Sequence, residues 1–346
     1  MDVILEIWDT YLADYVFAQV HPARPTASSD YFNVQNTTIA STWQYKPAST
    51  YIDFEPSEYA YMSAWDRDNI VRQAISLWTI TVIFGCLLYF IFASLSYWLV
   101  FDKTTKSHPK YLKNQISMEI RQSIESFPGM ALLTTIFWLL EVRGYTKLYD
   151  TPADGPGLWY EFLQFPFFLV FTDALIYLIH RGLHHPLVYK HLHKPHHKWI
   201  MPTPFASHAF HPIDGFSQSF PYHLYPILFP LNKYASVALF VFVNFWTIMI
   251  HDGEYVANSP VINGAACHTM HHLYFNYNYG QYTTLWDRLG GSYRQPDEDL
   301  FDKEKKLSEA QWKRQVKGME RMAKIVEGED DREYAPGAAS DSKKNK

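Results

Sequence analysis

The sequence predicts an all-α membrane protein with about four transmembrane helices, including a hairpin, and a helical, histidine-rich domain on the cytosolic side. Three observations predict it. Residues 74–101 form a run of 28 without a single charge. Tyr and Trp, which favour membrane interfaces, number 25 and 11. Nine of the 16 histidines fall in three short clusters at and beyond the ends of apolar segments. Hydrophobic residues reach 48% while mean hydropathy is only -0.21, so the apolar content is concentrated in a few stretches.

At 346 residues the chain can bury a sizeable core without staples. A net charge of -5, with no long basic block outside the tail, argues against a nucleic-acid partner. Cys86 lies inside an apolar run and Cys267 beside a histidine cluster. That excludes a disulfide scaffold and a cysteine zinc finger.

Residues 1–68 are a polar, aromatic N-terminal segment, with no basic stretch leading into an apolar one, so no cleavable signal is expected. Residues 69–157 hold the first membrane helices and a basic loop. The run 74–101 exceeds the roughly 20 residues that span a bilayer core. The second apolar run, 127–140, is short, and a tilted or partly re-entrant helix is expected. Residues 158–179 lead directly into His180. Pro166 should kink that helix, and Asp173, costly in lipid, should face protein. Residues 216–231, interrupted by Pro221, Pro226 and Pro230, and 233–250, ending at His251, make the hairpin.

Lys103, Lys106, Lys110, Lys113 and Arg121 fall within 102–126, against Lys147 alone in 144–157. The excess of positive charge places 102–126 in the cytosol. The third span then emerges in the cytosol at His180, and residues 1–68 are lumenal, where Asn36-Thr37-Thr38 fits a glycosylation acceptor. Residues 158–294 form the catalytic region and 295–346 a cytosolic tail. In that tail Ser308 and Gln311 fit a capping box. Trp312, Val316, Met319, Ala323 and Val326 follow as a helical stripe, stopped by Gly328. The end is acidic and small, expected to be disordered, and its last four residues, Lys343-Lys344-Asn345-Lys346, look like a dilysine retrieval signal of the endoplasmic reticulum.

The clusters read His180-Arg181-Gly182-Leu183-His184-His185, His193-Lys194-Pro195-His196-His197 and His268-Thr269-Met270-His271-His272. On a helix, residues at i, i+3 and i+4 lie within about 60° of one another, so His268, His271 and His272 should converge on one point. His180 and His184 share a face, whereas His185 is turned about 140° away and should support a ligand rather than be one. Pro195 is tolerated only in a first helical turn, so His196 and His197 sit at a helix start with His193 just before it. Eight imidazoles are too many for one ion. Two metals with about four each fit better, and imidazole suits iron, zinc, copper and nickel alike. His251, His208 and His211, with His185, are candidates for further ligands. Asp173, Asp214, Asp252 and Glu254 are candidates to accept the second N–H of a ligating histidine.

In this order the three boxes resemble the fatty acid hydroxylase and sterol desaturase superfamily, and the finer resemblance is to fungal sterol C-5 desaturases. It is carried by 180–215, 244–255 and 268–294, and covers roughly 70–300. The resemblance implies an endoplasmic-reticulum membrane enzyme with a non-haem di-iron centre. It implies O2 as oxidant, with electrons from NAD(P)H through a reductase and cytochrome b5. It also implies a Δ7-sterol substrate that gains a C5–C6 double bond on the way to ergosterol. Its box ligands fall on His180, His184, His193, His196, His197, His268, His271 and His272. Phe245, Trp246, Phe275 and Tyr277 would flank the sterol rings. Arg181, Lys190, Lys194 and Lys198 would face an acidic electron donor.

Two rival reactions stay within the superfamily: sterol C-4 methyl oxidation and fatty acyl hydroxylation. A membrane zinc hydrolase or a metal transporter is the rival from another class. No HExxH motif is present, and the histidines lie at helix ends rather than mid-membrane.

Overall fold

The computed structural model describes residues 1–23, 43–255, 258–306 and 308–335. The glycosylation pattern at Asn36 and the dilysine end lie outside them. The chain divides into two compact units: residues 1–84, 131–162 and 226–237, and residues 85–130, 163–225 and 238–346.

Helices dominate. α1 (Asp2–Trp8) and α2 (Asp14–Val20) are joined by a π-helical turn. Three long apolar helices follow: α3 (Ile70–Leu99), α4 (Gln115–Val142) and α5 (Tyr160–Leu183). Then come α6 (Pro186–Val188), α7 (Lys194–His197), α8 (Pro212–Leu228), α9 (Lys233–Met249), α10 (Ala265–Tyr274), α11 (Leu285–Leu289), α12 (Lys303–Lys306) and α13 (Glu309–Val326). Two short strands, β1 (Leu148–Tyr149) and β2 (Leu231–Asn232), pair in parallel, with Leu148 opposite Leu231.

α3, α4 and α5 contain 30, 28 and 24 residues, enough to cross a bilayer. They leave Leu87, Leu95, Trp98, Leu132, Ile136, Val170 and Leu178 exposed, side chains that lipid would cover. The protein is a multi-pass membrane protein. The expected hairpin is two 17-residue helices, α8 and α9, of which α9 is the more apolar.

α4 corrects the short second span. It starts at Gln115, twelve residues before the apolar run. Its first turns carry a polar stripe at 115, 119 and 123, each one helical turn apart. Gln115 donates to the Met201 carbonyl (2.8 Å), Glu119 accepts from Thr203, and Ser123 donates to the Phe205 carbonyl (3.2 Å). Burying this stripe is affordable because the irregular backbone of 201–205 supplies the partners.

In the first unit, Arg72 reaches Asp9 (2.7 Å) and Asp14 (2.6 Å), and Arg67 reaches Asp14 (2.6 Å), all buried. These pairs tie α1 and α2 to the start of α3. In the second unit, α10 is buried along its whole length. α13 covers it: Ser308 caps α13 through the Gln311 N–H (3.2 Å), and Met319 and Ala323 pack with Met270, Leu273 and Tyr274. Gly318 permits the approach, since a Cβ there would stand 2.7 Å from the Tyr274 ring. The helix stops at Gly328, whose φ is +90°.

Candidate metal centre

Nine histidines meet in two groups in the second unit. His180, His184, His193, His197 and His271 form one; His196, His251, His268 and His272 form the other. Within each, one nitrogen per ring lies within 4.8 Å of the rest, and all nine side chains are buried.

Local structure places them. His180 sits in the last turn of α5, with His184 just beyond it. Tyr189–His193 is a π-helical turn running into α7, whose Pro195 occupies the first turn, as the sequence predicted. His251 follows α9, and the third cluster lies on α10.

The expected convergence of His268, His271 and His272 does not occur. His271 joins the first group, while His268 and His272 join the second. The helix separates them: 268 and 272 are about 40° apart, but 271 and 272 are about 100° apart. α10 therefore lies between the two groups and serves both. The second cluster divides in the same way, with His193 and His197 in one group and His196 in the other.

The close contacts are all between Nε2 atoms. In the first group His180–His193 is 3.1 Å, His184–His197 is 3.2 Å and His197–His271 is 2.9 Å. In the second, His251–His268 is 2.9 Å and His268–His272 is 3.1 Å. The opposite ring edge fixes several tautomers. His180 Nδ1–H donates to the Tyr279 carbonyl (2.9 Å), His271 to the Tyr277 carbonyl (2.7 Å) and His251 to the Thr247 carbonyl (2.6 Å). His193 Nδ1 faces the Asp214 carboxylate at 2.8 Å. A carbonyl only accepts, so the Nδ1 atoms of His180, His251 and His271 are protonated, and these rings when neutral carry lone pairs on Nε2. His180 Nε2 and His193 Nε2 face each other at 3.1 Å.

Burial pushes His184, His196, His197, His268 and His272 well below the usual histidine range, and neighbouring imidazoles push the same way. Burial takes His251 and His271 down to about 3. These seven rings are therefore neutral at physiological pH, the form that binds metal.

Several predicted residues stand elsewhere. His185 is exposed, and its Nδ1 accepts the Leu187 N–H at the start of α6. His211 accepts the Ile213 N–H. His208 is buried but spends its ring on Ser207 (3.0 Å) and Asn244 (3.1 Å). Asp173 touches no histidine; it accepts from the N–H groups of Gln281, Tyr282 and Thr283 and from the Thr283 hydroxyl. Asp287, which sequence reading missed, accepts from Tyr279 N–H (2.9 Å) and Gly280 N–H (2.8 Å). The two acids hold 279–283, and with it the carbonyl that orients His180. Asp252 accepts the Glu254 N–H, and burial raises its carboxyl to about 7. Of the four acids proposed, Asp214 is the one that reaches a histidine.

The four aromatic candidates also separate. Phe275 is fully buried at a φ of +62° and stacks on His197 with ring centroids 5.2 Å apart. It packs beneath the first group's rings. Trp246 donates to the Gln281 carbonyl (2.7 Å), Tyr277 lies beside Arg294 and Phe245 meets Phe92 edge-on. Tyr189 was also missed; its buried ring lies 5.3 Å from His184 and 5.8 Å from His197.

Residues 165–292 match the sequence profile of the fatty acid hydroxylase family, a span that contains all nine histidines. A probable Delta(7)-sterol 5(6)-desaturase of Neurospora crassa is 63% identical, covering 99% of this chain and 100% of its own length. Delta(7)-sterol 5(6)-desaturases of Leptosphaeria maculans and Aspergillus fumigatus are each 60% identical, covering 96% of this chain and 97% of their own. The chain belongs to the Δ7-sterol 5(6)-desaturase family. No solved structure matches it. The desaturase relatives align over nearly the whole chain rather than over the boxes alone. Membership in this metal-dependent oxygenase superfamily gives the buried histidine groups their context: nine buried imidazoles in two sets.

Proposed function

We propose that this chain is a Δ7-sterol 5(6)-desaturase whose two histidine groups each hold one iron ion, His180, His184, His193, His197 and His271 at one and His196, His251, His268 and His272 at the other. The observation that carries the metal reading is the meeting of nine buried imidazoles in two groups, within each of which one nitrogen per ring lies within 4.8 Å of the others. Five donors in one group exceed the four of a closed zinc site.

The reaction removes one hydrogen each from C5 and C6. The sterol loses two electrons and two protons; with two more of each from the donor, O2 becomes two water molecules. Bound iron would supply the reduction of O2 needed to break unactivated C–H bonds. The protein's own residues hold the centre. Asp214 and the Thr247, Tyr277 and Tyr279 carbonyls keep imidazoles in the Nδ1–H form. Burial of all nine rings excludes water from the donor set.

Electrons arrive from NAD(P)H through cytochrome b5 and its reductase in this reading, at the endoplasmic reticulum, with boxes and tail cytosolic. An open groove supports an acidic donor: Lys113, Arg121, Lys190, Lys194 and Lys198 line it, beside Asp331 and Glu333. Arg181 is not part of that lining; it is held by Tyr177 and the Gly290 carbonyl. The deciding experiment is turnover by purified protein with iron, O2, a reductant and a Δ7-sterol. A C5–C6 double bond with two irons per chain is expected. Failure to form it, or 4-methyl sterols accumulating in a strain lacking the gene, would overturn the reading.

A further inference from the structure

α7 is a single turn of four residues, Lys194–His197. A helix that short cannot hold its own shape, yet it carries His196 and His197, one for each histidine group. Its last carbonyls also need donors from outside the helix. They come from the far end of the chain. Arg332 donates from Nη2 to the His197 carbonyl (2.9 Å) and from Nε to the Lys198 carbonyl (3.2 Å). Its side chain is 2% exposed and paired through both Nη atoms with Glu327, at 2.7 and 2.8 Å. Glu327, itself fully buried, accepts the Tyr189 hydroxyl (2.8 Å). Tyr189 in turn lies against the rings of His184, His193 and His197.

We infer that Arg332 is a positioning residue of the metal centre: with Glu327 it forms a clasp that fixes the turn bearing His196 and His197. The segment after α13 is therefore part of the site, although it lies outside the residues that match the hydroxylase profile. The planar guanidinium suits this place, because it meets two backbone carbonyls and a carboxylate at once, which an ammonium does not. The inference rests on the two-iron reading.

The test is iron retention in purified, iron-loaded enzyme, measured as the rate of transfer to a ferrous chelator. Arg332→Ala is expected to release iron about tenfold faster than wild type, the lower end of what loss of a ligand-orienting group costs. Arg332→Lys should fall between them. Asp331→Asn, which loses only the exposed pair with Lys194, should match wild type. If Arg332→Ala does not fold, Arg332→Lys decides: release within twofold of wild type overturns the clasp, and faster release from a folded protein supports it. Wild type carrying two irons while Arg332→Ala releases them at the same rate overturns the clasp alone. Wild type that binds fewer than two overturns the two-iron reading and the clasp with it.

Discussion

Asp214 and Asp252 provide a paired test of how the centre is held. Both are buried carboxylates, at 0% and 3% exposure, close in sequence to histidines of interest. Only Asp214 reaches a histidine of the two groups: it sits in the first turn of α8, takes His193 at 2.8 Å and is steadied by Gln218 at 2.8 Å. Removing a carboxylate that orients a ligating imidazole lowers metal affinity by about 10–100-fold, or roughly 1.4–2.8 kcal/mol. Asp214→Ala should lose that much at the five-histidine group, and Asp214→Asn less, since its amide oxygen can still accept from His193. Asp252→Ala should change affinity less than about threefold, because its partner is the Glu254 N–H. Competition with a chelator of known affinity, on protein held in detergent, measures all three. Equal losses for Asp214→Ala and Asp252→Ala would refute the assignment of His193 as a ligand oriented by Asp214.

Gly280→Ala should destabilise the protein by roughly 1–3 kcal/mol, because its Cβ would press on the Thr283 carbonyl, Asp287 and Asn263. The melting temperature reads the loss, and because Tyr279 precedes this position, iron content should fall too; an unchanged melting point would count against the packing. His185→Ala and His211→Ala should keep wild-type iron content by metal analysis, whereas His251→Ala should lower it; the reverse order would exchange their roles. His108, 1% exposed beside Trp312, has burial holding its pKa down to about 4. It is neutral in the folded chain while the unfolded chain titrates near 6.5. Its contribution is therefore intact above about pH 6.5 and falls as pH drops towards 4, by roughly 3 kcal/mol in all. His108→Gln should remove that part of the acid loss in thermal melts; parallel pH profiles would argue against it.

How much of this was legible depended on what each residue's signal was. The apolar core of α3 and the stripe of α13 were readable because burial by lipid or by one neighbour leaves a simple pattern. The first half of α4 was not. Gln115, Glu119 and Ser123 look like a loop until the carbonyls of Met201 and Phe205 and the side chain of Thr203 are placed against them. Metal-ligand spacing made the histidines conspicuous, and His251 stood out at the end of α9. Their partition was hidden, since a cluster written together reads as one site, while a helix lying between two sites divides it. Asp287 and Arg332 carried no local motif at all; their partners lie 8 and 135 residues away.

The adjacency of His196 and His197 has a mechanical consequence. Each ring belongs to a different group, and a single peptide unit joins them. Displacing that unit disturbs both groups together. One extra residue between His193 and His197 would turn the following rings by about 100° and present each group with the wrong face. The centre thus behaves as one indivisible part, its internal spacing set by backbone geometry rather than by how the helices are connected.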